Sequence, residues 1–237
     1  MLGAIAGSYL ATLVLRWPRG ERTRDGRSRC DNCRHRLAAA DLIPLVGYGL
    51  RRGRCRHCGV PIDPAHPMIE AIAAAIGLVA LLVLPGVPGL FVAVSGWLLL
   101  ALAILDLRYL WLPDRLTAAL GVAGLAAWLA GLPPPLADRI AGGIAGYGAL
   151  ALIAWLYRRV RGREGLGAGD AKLLAAIGLW TGWQPLPLIV LGASVAGLAG
   201  VGLRRLGGRP VAAQTALPFG CLLALAAWPI VLFTTSG

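Results

Sequence analysis

Charge is what this chain has least of. Only 14% of its 237 residues are charged, and 57% are hydrophobic. That balance excludes an ordinary soluble domain and points to a polytopic membrane protein. Lysine is almost missing: Lys172 is the only one, so nearly all of the +12 net charge rests on arginine. No basic stretch precedes the apolar run Met1–Leu15, and the arginines come after it. The expectation is a retained first span rather than a cleaved signal peptide. Convincing Ser/His pairs at a span edge are lacking, as is any clear internal repeat.

The positive charge is unevenly placed. Twelve of the 23 basic residues fall between Arg16 and Arg56, and most others sit in short loops between apolar runs. This is the positive-inside pattern, so the implied partner is anionic lipid on the cytoplasmic face rather than nucleic acid. Runs of roughly 17–22 apolar residues can cross a ~30 Å hydrocarbon layer as helices. Eight are expected, near 1–16, 67–84, 88–106, 115–131, 137–157, 170–183, 186–203 and 214–234, the sixth being short. Turns at 85–88, 131–135 and 181–185 carry no Lys or Arg, whereas 16–66, 107–115, 158–169 and 204–213 hold the arginines. Alternation then puts both termini outside and the basic loops in the cytoplasm. Arg139 alone departs from the pattern, next to Asp138 at a helix start. The glycines of helices 4–8 read as close-packing positions. Trp97, Trp111, Trp180 and Trp183 read as interfacial anchors.

Between the first two spans lie Cys30-Asp-Asn-Cys33 and Cys55-Arg-His-Cys58, with 21 residues between the pairs. Four thiolates at that spacing can close a tetrahedral zinc site, and the metal would supply the folding energy of a loop too short and polar for a core. A disulfide pair is the alternative, disfavoured in a reducing cytoplasmic loop. His35 and His57 are possible substitute ligands or simply solvated. Cys221, in the last span, reads as a buried apolar residue.

Two acids stand at the edges of apolar runs. Asp106 ends Leu102-Ala-Ile-Leu-Asp106, and Asp170 lies in Gly165-Leu-Gly-Ala-Gly-Asp-Ala-Lys-Leu-Leu174. An ionisable group there is costly and marks a functional site by default. Two carboxyls ~3 Å apart share one proton. The ionised one can activate water against a peptide carbonyl while the other donates to the developing oxyanion. The bland alternative is helix capping, which suits Asp114, Asp138 and Asp170. Asp106 is harder to explain that way, because the C-terminal end of a helix disfavours an anion. Lys172 either balances the charge of the site or binds lipid phosphate.

Taken in order, these residues resemble a family. The chain is similar to the type IV prepilin peptidases, membrane aspartyl proteases of the GxGD type. The resemblance is carried by Gly7-Ser-Tyr-Leu10 with Arg16-Trp-Pro18, both CxxC pairs, Asp41-Leu-Ile-Pro-Leu45 and Arg51-Arg-Gly-Arg-Cys55. It continues through Pro67-Met-Ile-Glu70, Asp106, Leu112-Pro-Asp114, Gly167-Ala-Gly-Asp-Ala-Lys172 and Leu217-Pro-Phe-Gly220. It implies that Asp106 and Asp170 are the catalytic pair, supported by Gly167, Gly169, Lys172 and Asp114. It implies a prepilin or pseudopilin substrate of a type IV pilus or type II secretion system, whose basic leader is cut after a glycine at the cytoplasmic face. It also implies zinc on Cys30, Cys33, Cys55 and Cys58, and in many members methylation of the new N-terminus by S-adenosylmethionine, with Glu70 linked to that step. One departure bears on methylation: Ala11-Thr12 replaces the usual Asn-Val of the first motif.

The expectation is therefore an all-α, multi-pass protein of the bacterial inner membrane. It has a first span (1–16), a zinc-stapled cytoplasmic region (17–66) and a membrane-embedded peptidase region (67–237). The alternatives are a peptidase without methylase activity, or a non-enzymatic transporter or assembly scaffold.

Overall fold

The computed structural model describes residues 1–20, 29–30, 32–163, 165–207 and 217–236. Most of the 204–213 basic loop, residues 21–28 of the first loop, and the expected start of the last span at 214–216 lie outside them. Among the described residues no strand forms; two isolated bridges pair Arg29 with Arg36 and Arg54 with Pro61. The helices are α1 (Leu2–Arg16), α2 (Val46–Leu50), α3 (Ala65–Val83), α4 (Val87–Tyr109) and α5 (Asp114–Leu129). They continue with α6 (Leu136–Arg161), α7 (Ala168–Thr181), α8 (Leu186–Leu206) and α9 (Phe219–Ser236). Five of them, α3, α4, α6, α8 and α9, are long and apolar enough to cross a membrane. The other expected spans coincide with α1, α5 and α7, of 15, 16 and 14 residues.

Two compact units form, Met1–Leu82 and Val83–Gly237. In the first, α1 presents small residues to α3. A Cβ at Gly3 would stand 2.6 Å from the Ala73 carbonyl oxygen, and one at Gly7 would stand 2.7 Å from the Glu70 Cα. Without side chains there, the two backbones touch.

In the second unit, α7 is the shortest long helix and the most enclosed. It packs against α5, α6 and α9, while α4 packs against α5 and α9. Nine of its 14 residues are buried, from Asp170 to Thr181. A helix apolar on all sides needs neighbours on all sides, which explains why so short a run is held so firmly. Against α6 the contact is backbone to backbone: a Cβ at Gly142 would overlap Gly178 and Gly182. Trp180, expected as an interfacial anchor, is 1% exposed and donates its indole N–H to the Leu120 carbonyl at 2.8 Å. Its amphipathic ring finds the polar partner inside the bundle rather than at an interface.

Arg139 is the largest buried charge. Its guanidinium donates to five carbonyls, those of Gly124, Leu132, Pro133, Pro134 and Leu179, at 2.7–3.2 Å. Adjacent Asp138 accepts instead from the Trp183 indole at 3.2 Å. Five donors in a fixed fork tie the α5–α6 turn to the end of α7, where helix carbonyls lack partners.

Candidate active site

Asp106 lies three residues inside the end of α4, and Asp170 is the third residue of α7. Both are buried. What brings them together is the first turn of α9. A Cβ built on Gly220 would stand 3.1 Å from Asp106 Oδ2 and 3.1 Å from Asp170 Oδ1. The two oxygens are thus no more than twice that distance apart, with a bare glycine backbone between them. The Cys221 backbone N–H donates to Asp106 Oδ2 at 2.8 Å. This resolves the oddity of an acid near a helix C-terminus, because the same carboxylate meets the N-terminus of another helix.

The glycines around Asp170 leave room rather than supply unusual torsions. A Cβ on Gly167 would crowd Asp170 Oδ2 at 3.2 Å, and one on Gly169 would meet Leu112 Cβ at 3.0 Å. Leu112, from the short α4–α5 connection, also reaches Gly220, with its Cδ1 2.8 Å from the ideal Cβ position there. Leu112 thus contacts both the glycine before Asp170 and the glycine between the carboxyls, an apolar side chain at the edge of the pair.

Asp114 does not join the pair. It is the first residue of α5 and accepts from Lys172 Nζ at 2.7 Å, both side chains being well exposed. The lysine therefore has a protein partner, and it braces α7 against α5 two residues from Asp170. None of Asp114, Asp138 and Asp170 is the N-cap of its helix; those positions are Pro113, Pro135 and Gly167.

In the first unit the four cysteine sulfurs all lie within 4.8 Å of one another. Cys30–Cys58 and Cys33–Cys55 are 3.9 and 4.0 Å apart. Four sulfurs ~2.3 Å from one zinc ion stand roughly 3.8 Å apart, whereas a disulfide would need ~2.05 Å. The donor set fits zinc and not a bridge. The two CxxC turns also repeat each other locally, which the sequence did not reveal. Arg34 and Gly59, both at positive φ, donate to the carbonyls of Cys30 and Cys55 at 2.9 and 3.0 Å. The Cys30 and Cys55 amides donate in turn to the carbonyls of His35 and Val60. The Val60 amide above all, helped by the Asn32 side chain, holds the Cys58 thiol down at about 6. His35 and His57 stack on each other, with ring centroids 3.4 Å apart.

Next to this module is a cavity of about 360 Å³, whose lining includes Ser8, Thr12, Asp41, Tyr48, Arg51 and Glu70. Buried Glu70 accepts the Leu45 amide at 2.8 Å. Leu45 has φ +63° and ψ −46°, and the Val46 amide donates to the Pro44 carbonyl at 2.7 Å. That is a γ-turn of the rare, strained kind, and Glu70 holds its centre. Arg51 donates to Asp41 Oδ1 at 2.7 Å, and this hydrogen bond holds the Asp41 carboxyl below its usual range. Cys221 and Leu45 act through their backbone amides, so residue type carried no signal for their roles.

Residues 1–84 match the model of the bacterial peptidase A24 N-terminal domain, and residues 93–202 match that of the type IV leader peptidase family. The prepilin leader peptidase/N-methyltransferase of Aeromonas hydrophila is 40% identical over 212 residues, 89% of this chain and 72% of that protein. The chain belongs to the type IV leader peptidase family. Proteins with the same name from Burkholderia pseudomallei and Klebsiella pneumoniae are 43% and 41% identical, covering 88% and 82% of this chain and 68% and 88% of theirs. No solved structure gives a match. As a leader peptidase family member with five apolar spanning-length helices, the chain is a multi-pass membrane protein. Both family regions carry part of the constellation described above: Glu70 and the cysteines fall in the first, Asp106 and Asp170 in the second.

Proposed function

We propose that this chain is an aspartic endopeptidase that removes the leader of prepilins and pseudopilins through Asp106 and Asp170. The observation that carries the reading is the gap at Gly220, flanked at 3.1 Å by an oxygen of each carboxyl. Two carboxyls facing one small gap disfavour each other's charge, so one of them keeps its proton. The ionised one takes a proton from water as the water oxygen bonds to the scissile carbonyl carbon. The protonated one donates to the carbonyl oxygen, and the proton then passes to the departing amide nitrogen as the C–N bond breaks. Asp114 and Lys172 brace the helices and take no part in proton transfer.

The arginine-bearing loops and the dyad lie on the cytoplasmic side, with all eight long helices crossing and both termini outside. The arginines hold the loops against anionic lipid. The cysteine module carries structural zinc on Cys30, Cys33, Cys55 and Cys58, supported by the sulfur spacing.

A second activity is favoured by the cavity beside Glu70. Its volume of about 360 Å³ falls within the ~300–1,000 Å³ of small-molecule sites. S-adenosylmethionine would supply a methyl group on a positively charged sulfur. Glu70 offers the carboxylate to face that charge, and Arg54 and Arg56, which also line the cavity, suit a ligand carboxylate. Of the two residues that depart from the family motif, Thr12 lines this cavity and donates to the Ser8 carbonyl at 3.1 Å, while Ala11 is fully buried and is not part of the lining.

The test is cleavage of a co-expressed prepilin in membranes. Asp106→Asn and Asp170→Asn should abolish it while the protein still inserts, and Asp114→Asn should only weaken it. Normal cleavage by either of the first two variants sinks the dyad. Glu70→Gln should lose methyl transfer to the cleaved product and keep cleavage; loss of both together would refute the division of labour.

A further inference from the structure

We infer that the first turn of α9, Gly220-Cys221, is a positioning element of the aspartate pair, fixing Asp106 by a backbone amide and keeping the space between the carboxyls free of side chain. The inference rests on the reading of Asp106 and Asp170 as the catalytic pair. Phe219, Gly220 and Cys221 are the first three residues of an 18-residue helix, so their N–H groups have no partner within it. The Cys221 amide spends its bond on Asp106 Oδ2 at 2.8 Å, across 115 residues of chain. Asp106 is thereby the capping group of a helix other than its own. Held at one oxygen, its carboxyl keeps one rotamer, and the second oxygen is left for water. Gly220 does the complementary work. Any side chain there would project to 3.1 Å from both carboxylate oxygens, into the volume where a water and a scissile carbonyl must meet the pair. The third close atom, Leu112 Cδ1 at 2.8 Å, is the end of a flexible side chain and can move aside. The carboxyls, fixed by their helices, cannot do so without losing alignment.

The experiment measures kcat and KM of the full chain in detergent, using a peptide that spans a prepilin leader junction. Cys221→Pro removes the amide donor at a first-turn position where the helix tolerates proline. Cys221→Ala changes the side chain and keeps the amide. Gly220→Ala fills the gap, alone and combined with Leu112→Ala. The expected result is a fall in kcat of about 100-fold, the scale of an ångström-sized misplacement, for Cys221→Pro and Gly220→Ala. KM stays near that of the wild type, Cys221→Ala keeps most of the activity, and the double variant stays impaired. Purely structural damage would instead track melting temperature, would appear in Cys221→Ala, or would be relieved by Leu112→Ala. Equal rates for Cys221→Pro and Cys221→Ala overturn the inference, and so does rescue by Leu112→Ala. Asp106→Asn runs alongside: if it is dead while Cys221→Pro is normal, the positioning role alone falls, and if it cleaves, the dyad and the inference fall together.

Discussion

Replacing Arg139 with leucine isolates one device that holds the second unit together. The side chain is fully buried and serves five carbonyls on α5, the α5–α6 turn and α7. Hydrogen bonds from a charged donor contribute roughly 1.5–3 kcal/mol each, so the gross loss is roughly 8–15 kcal/mol. Against this stands the desolvation of the guanidinium, several kcal/mol for a buried ion, which leucine does not incur. Gly124, well inside α5, also keeps a helical position for its carbonyl. The net destabilisation comes to about 3–5 kcal/mol, the usual scale for removing one side of a buried charged contact. At about 2–4 °C per kcal/mol for a chain of this size, Tm should fall by roughly 6–20 °C. Thermal unfolding of the detergent-solubilised protein, followed by helical circular dichroism, reads this directly. Arg139→Lys keeps the charge but has three donors instead of five, and should fall between the two. A shift of less than about 3 °C for Arg139→Leu would refute the reasoning. It would mean that the five bonds merely offset the cost of burying the ion.

Three further outcomes are expected. Purified chain should carry one zinc ion by elemental analysis, lost in Cys33→Ser or on chelation, and the stripped protein should become protease-sensitive around residues 29–61; a metal-free protein with an intact module would argue against zinc. Gly178→Ala should destabilise by about 1–3 kcal/mol, because its Cβ would meet the Gly142 carbonyl and the Gly143 amide. Gly148→Ala has open space instead and should be neutral or stabilising in a melting assay. Because the Arg51 bond lowers the Asp41 carboxyl, the stabilisation it gives is complete above the ordinary carboxylate value of ~3.9 and is lost as pH falls through the lower folded value. Amide protection over residues 41–51 should therefore differ between wild type and Asp41→Asn near neutral pH and converge in strong acid; a constant difference would exclude the ion pair as its source.

Among the described residues, apolar run length alone located each long helix to within a few residues at most ends. Even α7, only 14 residues long, was visible as a run beginning at Gly-Ala-Gly-Asp. Burial was less legible. Trp180 has the composition of an interfacial residue, and only the approach of Leu120 from α5 makes it core. Arg139 looked like half of a local pair with Asp138, because sequence offers side-chain neighbours and hides carbonyls contributed from 40 residues away. The acids Asp106 and Asp170 could be singled out by the cost of charge at a membrane edge. Their meeting place could not, since it is made of the Cys221 amide and the missing side chain of Gly220. Glu70 is a similar case: its partner is the amide of Leu45, a donor that every non-proline residue carries.

The division into Met1–Leu82 and Val83–Gly237 has an evolutionary consequence. All the groups assigned to bond cleavage (Asp106, Asp170 and the α9 turn) come from the later unit, and the Glu70 cavity and four-cysteine cluster come wholly from the earlier one. Mutations that erode one chemistry leave the atoms of the other untouched. Selection can therefore act on the two halves separately, and a substitution in the earlier half, such as Ala11 where the family motif usually has asparagine, leaves the groups assigned to cleavage as they are.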